Sequence, residues 1–281
     1  MQDNQNKAQD DVKILVIGCG KMGTAIVKGW IKSGVEGKQI YIVDFNRPLL
    51  EEMQKNHGVN LFTASDELPA LTFDYVMVAL KPQQIAATLS SYDAWVDGNT
   101  QLISVAAGIT CDALHKLLPR LANVIRIMPN TPCLIQKGVS VGYTSSVMDA
   151  SSKVFCQSLF SPLGFFSWVE SEALIDDVTG VSGSGPAYLF QFVESFVKAA
   201  ENTELPAELA KEIAISTVLG AAHLLESQDK EPAQLRKDVT SPKGTTEAGL
   251  KVLIQDSRLD NLMNDVVQAT KKRSEELAKL I

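Results

Sequence analysis

The sequence predicts an α/β chain, with a doubly wound parallel sheet in its N-terminal part and an all-helical C-terminal domain. Three observations carry this expectation. Short β-rich apolar runs alternate with helical stretches from Lys13 onwards. A glycine-rich turn, "VIGCGKMG", joins the first run to the first helical stretch. Strand-like runs stop at Glu172, and helical patterns follow one another from there to the C-terminus.

Each element follows from its residues. "KILVI", "QIYIVD", "DYVMVAL", "QLISVAA" and "NVIRIM" are five successive apolar runs, rich in β-branched residues and short enough for strands. Helices are expected between them at Met22 to Ser33, Arg47 to His57, Pro82 to Trp95 and Cys111 to Leu118, where apolar residues recur at helical spacing. Two further strand-like runs, "VSVGYTSS" and "FFSWVE", follow Pro132, with a helix expected from Met148 to Phe160 between them. A boundary near Val169 to Glu172 then divides a sheet-forming domain, residues 12–170, from a helical domain, residues 171–281. Residues 1–11 are polar and lack an apolar segment, which reads as a disordered tail rather than a signal peptide. In the helical half, Pro206 opens "LPAELAKEIAISTVLGAAHLLES", apolar on almost every side. Such a helix needs burial, and so short a domain has too little interior to supply it. A homodimer through this half is therefore expected.

Composition excludes several classes of function. A chain of 281 residues with a net charge of −7 offers no basic face for nucleic acid. The one basic cluster, Lys271 to Arg273, is followed by Glu275 and Glu276 and reads as solvated i,i+4 pairs. Cys19, Cys111, Cys133 and Cys156 form no C-x-x-C motif, and His57, His115 and His223 are scattered, so neither a metal site nor a disulfide framework is expected. Free cysteines suit a reducing, cytoplasmic compartment. No apolar run is long enough to span a membrane.

"VIGCGKMG" sets Gly18, Gly20 and Gly23 in G-x-G-x-x-G spacing between a strand and a helix, the context of a dinucleotide fingerprint. The first glycine permits the tight turn, the second admits a pyrophosphate to the backbone, and the third allows close helix packing. Lys21 and Met22 lie in the same turn. Asp44 closes the second strand about 20 residues on, as a Rossmann-type doubly wound sheet requires. "VDFNRP" offers Asp44 to a ribose 2′-OH, and Asn46 with Arg47 to a 2′-phosphate. The arginine favours NADPH and the aspartate leaves NADH open. Bland alternatives stand beside these, a flavin or a structural turn for the glycines and a solvated side chain for Arg47.

Three other strand ends carry unusual residues: Lys81 and Pro82, the small Ala106, Ala107 and Gly108, and Pro129 to Pro132. On one rim of a parallel sheet they suit a cofactor floor, although each alone is an ordinary strand-end turn. In the helical half, "VSGSGPAY" and "TSPKGTTEAGL" are two glycine-containing helix starts. Hydroxyacid dehydrogenases of this two-domain type resemble the first stretch but place a lysine one turn later; here Tyr188, Leu189 and Phe190 stand there, and the next lysine is Lys198. Without that acid, a C=N bond suits the site better than a carbonyl. Backbone N–H groups from Gly244 to Thr246 suit a carboxylate, and a threonine hydroxyl suits an imine nitrogen. The plain alternative is a well-capped helix.

"GCGKMG", "ALKPQ", "SVAAGIT", "RIMPNTP", "VSGSGPAY" and "SPKGTTEAGL", in this order and running from Val12 to the C-terminal helix, resemble the pyrroline-5-carboxylate reductase family. The resemblance implies NAD(P)H-dependent reduction of 1-pyrroline-5-carboxylate to L-proline, the last step of proline biosynthesis, by an interlocked helical dimer that often assembles into a ring of dimers. It also implies that Gly18 to Gly23 hold the pyrophosphate, with Ala79 to Pro82, Ala106 and Ala107 at the nicotinamide half. Asp238, Thr245 and Thr246 then line the substrate site; the residues themselves add Gly244 through its backbone and Thr246 as the expected catalytic donor to the imine nitrogen, with Thr245 the rival donor in the same turn. Lys243 stands where the family commonly has glycine, and the position of Asp238 is variable in the family. A related imine or ketoacid reductase, or an idle dinucleotide sensor, would share the fold.

Overall fold

The computed structural model describes residues 12–121 and 123–279, so the tail expected at 1–11 lies outside the described residues. Two compact units make up the chain. One reaches to Gly183 and resumes at Ala269; the other runs from Ser184 to Gln268.

The first unit is built on one eight-stranded sheet in the order β3-β2-β1-β4-β5-β6-β7-β8. Its strands are β1 (Ile14–Ile17), β2 (Ile40–Val43), β3 (Asn60–Phe62), β4 (Tyr75–Val78), β5 (Gln101–Ser104), β6 (Asn123–Pro129), β7 (Gly138–Thr144) and β8 (Gly164–Trp168). Strands β1 to β6 are parallel, β7 runs antiparallel to β6, and β8 is parallel to β7. The five runs read as strands lie side by side as β2, β1, β4, β5 and β6. The two later runs, β7 and β8, extend the same sheet. The three-residue edge strand β3 escaped the sequence reading.

Alternation explains why the strands look uniformly apolar. Ile14 and Val16 enter one core with Ile26, Trp30, Ile42 and Phe160, while Leu15 and Ile17 enter a second with Val76, Ile85, Leu102 and Leu114. A parallel sheet covered on both faces needs apolar residues at both phases of the period.

Helices α1 (Lys21–Lys32), α2 (Arg47–His57), α3 (Pro82–Thr88), α4 (Cys111–Leu117) and α5 (Ala150–Phe160) match the expected stretches. The stretch expected as one helix from Pro82 to Trp95 divides instead into α3 and a 3₁₀ segment, Leu89–Trp95. The Ser91 hydroxyl, bonded to the Thr88 carbonyl at 2.7 Å, accompanies the tighter turn.

The first compact unit also keeps residues 172–183, beyond the boundary expected near Val169 to Glu172. This segment holds α6 (Leu174–Val178) and a π turn, Thr179–Gly183. Hydrogen bonds explain its placement: Glu172 accepts from Arg126 of β6 at 2.7 Å, and Asn130 donates to the Ser182 carbonyl at 3.0 Å.

Strands are absent from the described part of the second unit. It comprises α7 (Gly185–Glu201), α8 (Ala207–Ser227), α9 (Pro232–Asp238), α10 (Thr245–Ile254) and the first part of α11 (Arg258–Ala278). Helix α7 has no buried residue, and α8 buries only Ala210 and Ala214. Phe190, Phe192, Leu219 and Leu225 are each at least half exposed. The described residues of one chain therefore leave this apolar surface uncovered.

Candidate active site

The cofactor residues expected in the first unit gather at the carboxyl ends of β1, β2, β4 and β5, and the glycine turn shows a division of labour. Gly18 has φ +85°, and a methyl group placed on it would lie 2.7 Å from Leu80 Cδ2 and 3.0 Å from the Ala79 oxygen. A methyl on Gly23 would lie 2.8 Å from the Gly18 oxygen. A methyl on Gly20 would meet no atom within 4 Å. Two glycines are thus consumed in packing the turn, and the third leaves space.

Helix α1 starts at Gly20 with no side-chain cap and no acidic residue in its first turn. Its first helical bond is Thr24 N–H to Gly20 O at 2.9 Å, which leaves the N–H groups of Lys21, Met22 and Gly23 ahead of the ladder. An open space beside an uncapped helix start fits a pyrophosphate. Within the turn, burial pushes the Cys19 thiol up to about 11, so it is a neutral packing group at ordinary pH.

Asp44 is already engaged in the turn. Its Oδ2 accepts from Cys19 N–H at 2.5 Å and its Oδ1 from Asn46 N–H at 2.7 Å. The carboxylate therefore joins the end of β2 to the glycine turn, a task that "about 20 residues on" does not reveal. Asn46 begins α2 without capping it by its side chain. Arg47 pairs through Nε with Glu51 Oε1 at 3.2 Å, with both side chains largely exposed. Such a pair exchanges readily for a stronger anion.

Ala79 follows β4 and donates to the Ile17 carbonyl at 2.9 Å, which brings it beside the glycine turn. Lys81 is exposed, and Pro82 opens α3. Ala106 and Ala107, half-buried after β5, lead to Gly108 at φ +72°. A methyl on Gly108 would lie 2.8 Å from Leu277 Cβ, so the last turns of α11 pack against this loop.

The substrate-side residues lie in the second unit. Gly244 begins α10, and no side chain caps the helix. Neither the Thr245 nor the Thr246 hydroxyl has a hydrogen-bond partner among the described residues, and both threonines are exposed. The plain capping role weighed for these hydroxyls is therefore not realised. Lys243 holds φ +60°, the conformation a glycine adopts most readily, and its N–H donates to the Glu247 carboxylate. Asp238, at the end of α9, accepts from Lys230 Nζ at 2.8 Å and Gln234 Nε2 at 2.7 Å. The Lys230 ammonium holds its carboxyl below the usual range.

Two observations depart from sequence reasoning. Lys271, expected to pair with Glu275, pairs instead with Asp177 at 2.5 Å. Arg126, inside the apolar run "NVIRIM", is a buried cation that the reading passed over although an arginine in a covered strand demands a partner.

Comparison with known proteins bears on the chain as a whole. Residues 172–277 match the family described as pyrroline-5-carboxylate reductase dimerisation, and residues 13–108 the one described as NADP oxidoreductase, coenzyme F420-dependent. A pyrroline-5-carboxylate reductase of Pseudomonas aeruginosa is 35% identical, over 95% of this chain and 97% of the relative. One of Arabidopsis thaliana is 36% identical, over 96% of each. The solved structure of a Coxiella burnetii pyrroline-5-carboxylate reductase, 32% identical, superposes with a TM-score of 0.85 over 95% of this chain and 99% of that one.

Proposed function

The chain belongs to the pyrroline-5-carboxylate reductase family, and from that premise we propose that it reduces 1-pyrroline-5-carboxylate to L-proline with NAD(P)H, the last step of proline biosynthesis. It is an oxidoreductase acting on a CH–NH bond. Near-full-length identity to relatives of that name carries the reading.

The free N–H groups of Lys21, Met22 and Gly23 beside the open space at Gly20 hold the pyrophosphate, with Gly18 shaping the turn through its N–H bond to the Val43 carbonyl, and Ala79, Lys81, Pro82, Ala106 and Ala107 carry the nicotinamide half. When bound, the cofactor supplies the hydride. The N–H of Gly244 is bonded to the Ser241 carbonyl at 3.0 Å, so the uncapped N–H groups from Thr245 onwards hold the substrate carboxylate, supported by the positive end of the ten-residue helix α10. Asp238 and Thr245 border the same substrate. Thr246 donates its hydroxyl to the ring nitrogen and stabilises the charge that changes there during reduction. Among the described residues that hydroxyl, like the one of Thr245, has no partner, which leaves it available for this role. NADPH is the preferred cofactor, through Asn46 and Arg47. The enzyme works in the cytoplasm as a homodimer through its helical domain, and dimers assemble further into a ring.

The test is oxidation of NADPH followed at 340 nm with 1-pyrroline-5-carboxylate as substrate. Thr246→Val keeps the side-chain shape and removes the donor, so turnover should fall by about 10²-fold with NADPH affinity unchanged. Thr245→Val, run in parallel, should retain most activity. Near-normal turnover in Thr246→Val would refute the assignment, and cofactor binding without turnover in the unaltered protein would favour a sensor.

A further inference from the structure

One carboxylate in the first unit joins three separate parts of the chain. Glu172 Oε1 accepts from Arg126 Nη1 of β6 at 2.7 Å and from the Cys111 N–H at 2.7 Å. Cys111 is the first residue of α4, where the loop carrying Ala106 and Ala107 ends. Glu172 itself opens the segment that leads through α6 to the helical unit. The Arg126 side chain is only 3% exposed, and its Nε is buried without a hydrogen-bond partner among the described residues.

Stability alone explains this arrangement poorly. Two apolar side chains of similar volume in place of a buried ion pair are often neutral or stabilising. An unsatisfied guanidinium nitrogen adds a further cost. What an apolar pair lacks is an acceptor for the Cys111 N–H. The far side of the same loop is fixed by Gly108 packing against Leu277, and that stretch of α11 is held in turn by Ser274 Oγ–H donating to Asp176 at 2.6 Å. The loop is thus anchored at Gly108 by packing and at Cys111 by a hydrogen bond to a remote carboxylate.

We propose that Glu172 is a positioning residue for the cofactor floor, acting through the Cys111 N–H and itself aligned by Arg126. The inference rests on the reading of Ala106 and Ala107 as part of that floor. Displacement of the loop moves the surface against which the nicotinamide half lies, so the effect falls on NADPH affinity and on hydride transfer, beyond any effect on folding.

Three variants separate position from stability, with NADPH affinity read by fluorescence titration and melting temperature recorded beside it. Arg126→Met combined with Glu172→Leu removes both charges and the acceptor. It should melt close to the unaltered protein yet bind NADPH about tenfold more weakly, as expected when a positioning contact shifts a reacting group. Cys111→Pro deletes the N–H together with the buried thiol, which reaches the Val124 carbonyl at 3.8 Å, and is read against a Cys111→Ala control that loses the thiol and keeps the N–H. Proline suits the first helical position, and Thr110 before it already has the extended conformation that proline requires, φ −78° and ψ 158°. This variant should show a similar loss. Glu172→Gln keeps an oxygen for the Cys111 N–H and should hold NADPH affinity within about threefold while melting earlier, because Arg126 loses its counter-charge. NADPH affinity unchanged in Cys111→Pro, or lost equally in Glu172→Gln, would overturn the proposal. An unaltered protein that fails to bind NADPH would instead refute the cofactor reading on which it rests. Titration needs no imine substrate, so the outcome does not depend on the substrate assignment.

Discussion

Replacing each fingerprint glycine with alanine should give two different results from one chemical change. At Gly20 the new methyl meets nothing within 4 Å, and φ is −64°, a value any residue adopts. Folding should therefore lose at most about 1 kcal/mol, the scale of a change at a helix cap. The methyl does fill the space through which a pyrophosphate approaches the backbone. Loss of a charge-assisted hydrogen bond of about 1.5–3 kcal/mol corresponds to roughly tenfold to a hundredfold in NADPH affinity. At Gly18 the methyl lies 2.7 Å from Leu80 Cδ2 on a backbone at φ +85°. The left-handed conformation costs about 1–2 kcal/mol and overpacking about 1–3 kcal/mol. At roughly 2–4 °C per kcal/mol for a unit of this size, the melting temperature should fall by on the order of 10 °C. Gly23→Ala should behave like Gly18→Ala, because its methyl would lie 2.8 Å from a backbone oxygen that cannot rotate away. Thermal unfolding without cofactor, followed by NADPH titration below the transition, separates the two kinds of damage. If Gly20→Ala melted about 10 °C early with full affinity, or Gly18→Ala were harmless, the assignment of space to Gly20 and packing to Gly18 would be wrong.

Arg47→Ala should weaken NADPH about tenfold or more and leave NADH within about twofold, because a 2′-phosphate is present in one cofactor only; equal losses in parallel titrations would sink that role. Cys19, Cys111, Cys133 and Cys156 are all buried, so a colorimetric thiol reagent at pH 8 should find no fast-reacting group until the protein is denatured. The Cys19 value rises from 9.0 to about 11 on folding. The native state therefore holds that proton more tightly, and its contribution to stability should be lost as pH climbs from about 9 to 11, seen as alkaline melting that Cys19→Ala reduces. Apolar surface on α7 and α8 left uncovered within one chain implies a melting temperature that rises with protein concentration; light scattering that found a stable, active monomer at micromolar concentration would contradict it.

The parallel core was legible because both faces of β1, β4, β5 and β6 are covered, so apolar residues occupy both phases of each strand. Strand β3 was not, since Asn60, Leu61 and Phe62 form a three-residue, half-buried edge. The reversal between β6 and β7 depends on the turn Thr131–Ile135 and on Gln136 at φ 61°, and nothing in the composition of "TPCLIQ" specifies a left-handed glutamine. Side-chain pairing was least legible of all. Arg126 finds its carboxylate 46 residues away and Lys271 passes over its helical neighbour Glu275 for Asp177, choices made by tertiary packing rather than by spacing.

The candidate site residues fall into two groups that composition cannot tell apart but hydrogen bonding and space can. Gly18, Gly23 and Asp44 spend their capacity inside the protein, two in close backbone contact and one with both carboxylate oxygens bonded. Gly20, Thr245 and Thr246 keep theirs: one meets no atom where a side chain would stand, and two hydroxyls have no partner among the described residues. An exposed, unpartnered hydroxyl needs no explanation by itself, because water satisfies it. Beside it, however, α10 starts at a glycine with no side-chain cap, although either neighbouring threonine carries an oxygen suited to capping a helix. A stretch selected for stability would place that oxygen one residue earlier, at position 244, where capping is worth about 1 kcal/mol. The glycine there instead leaves the helix N–H groups open beside two free donors, which is the arrangement a small carboxylate with a neighbouring ring nitrogen requires.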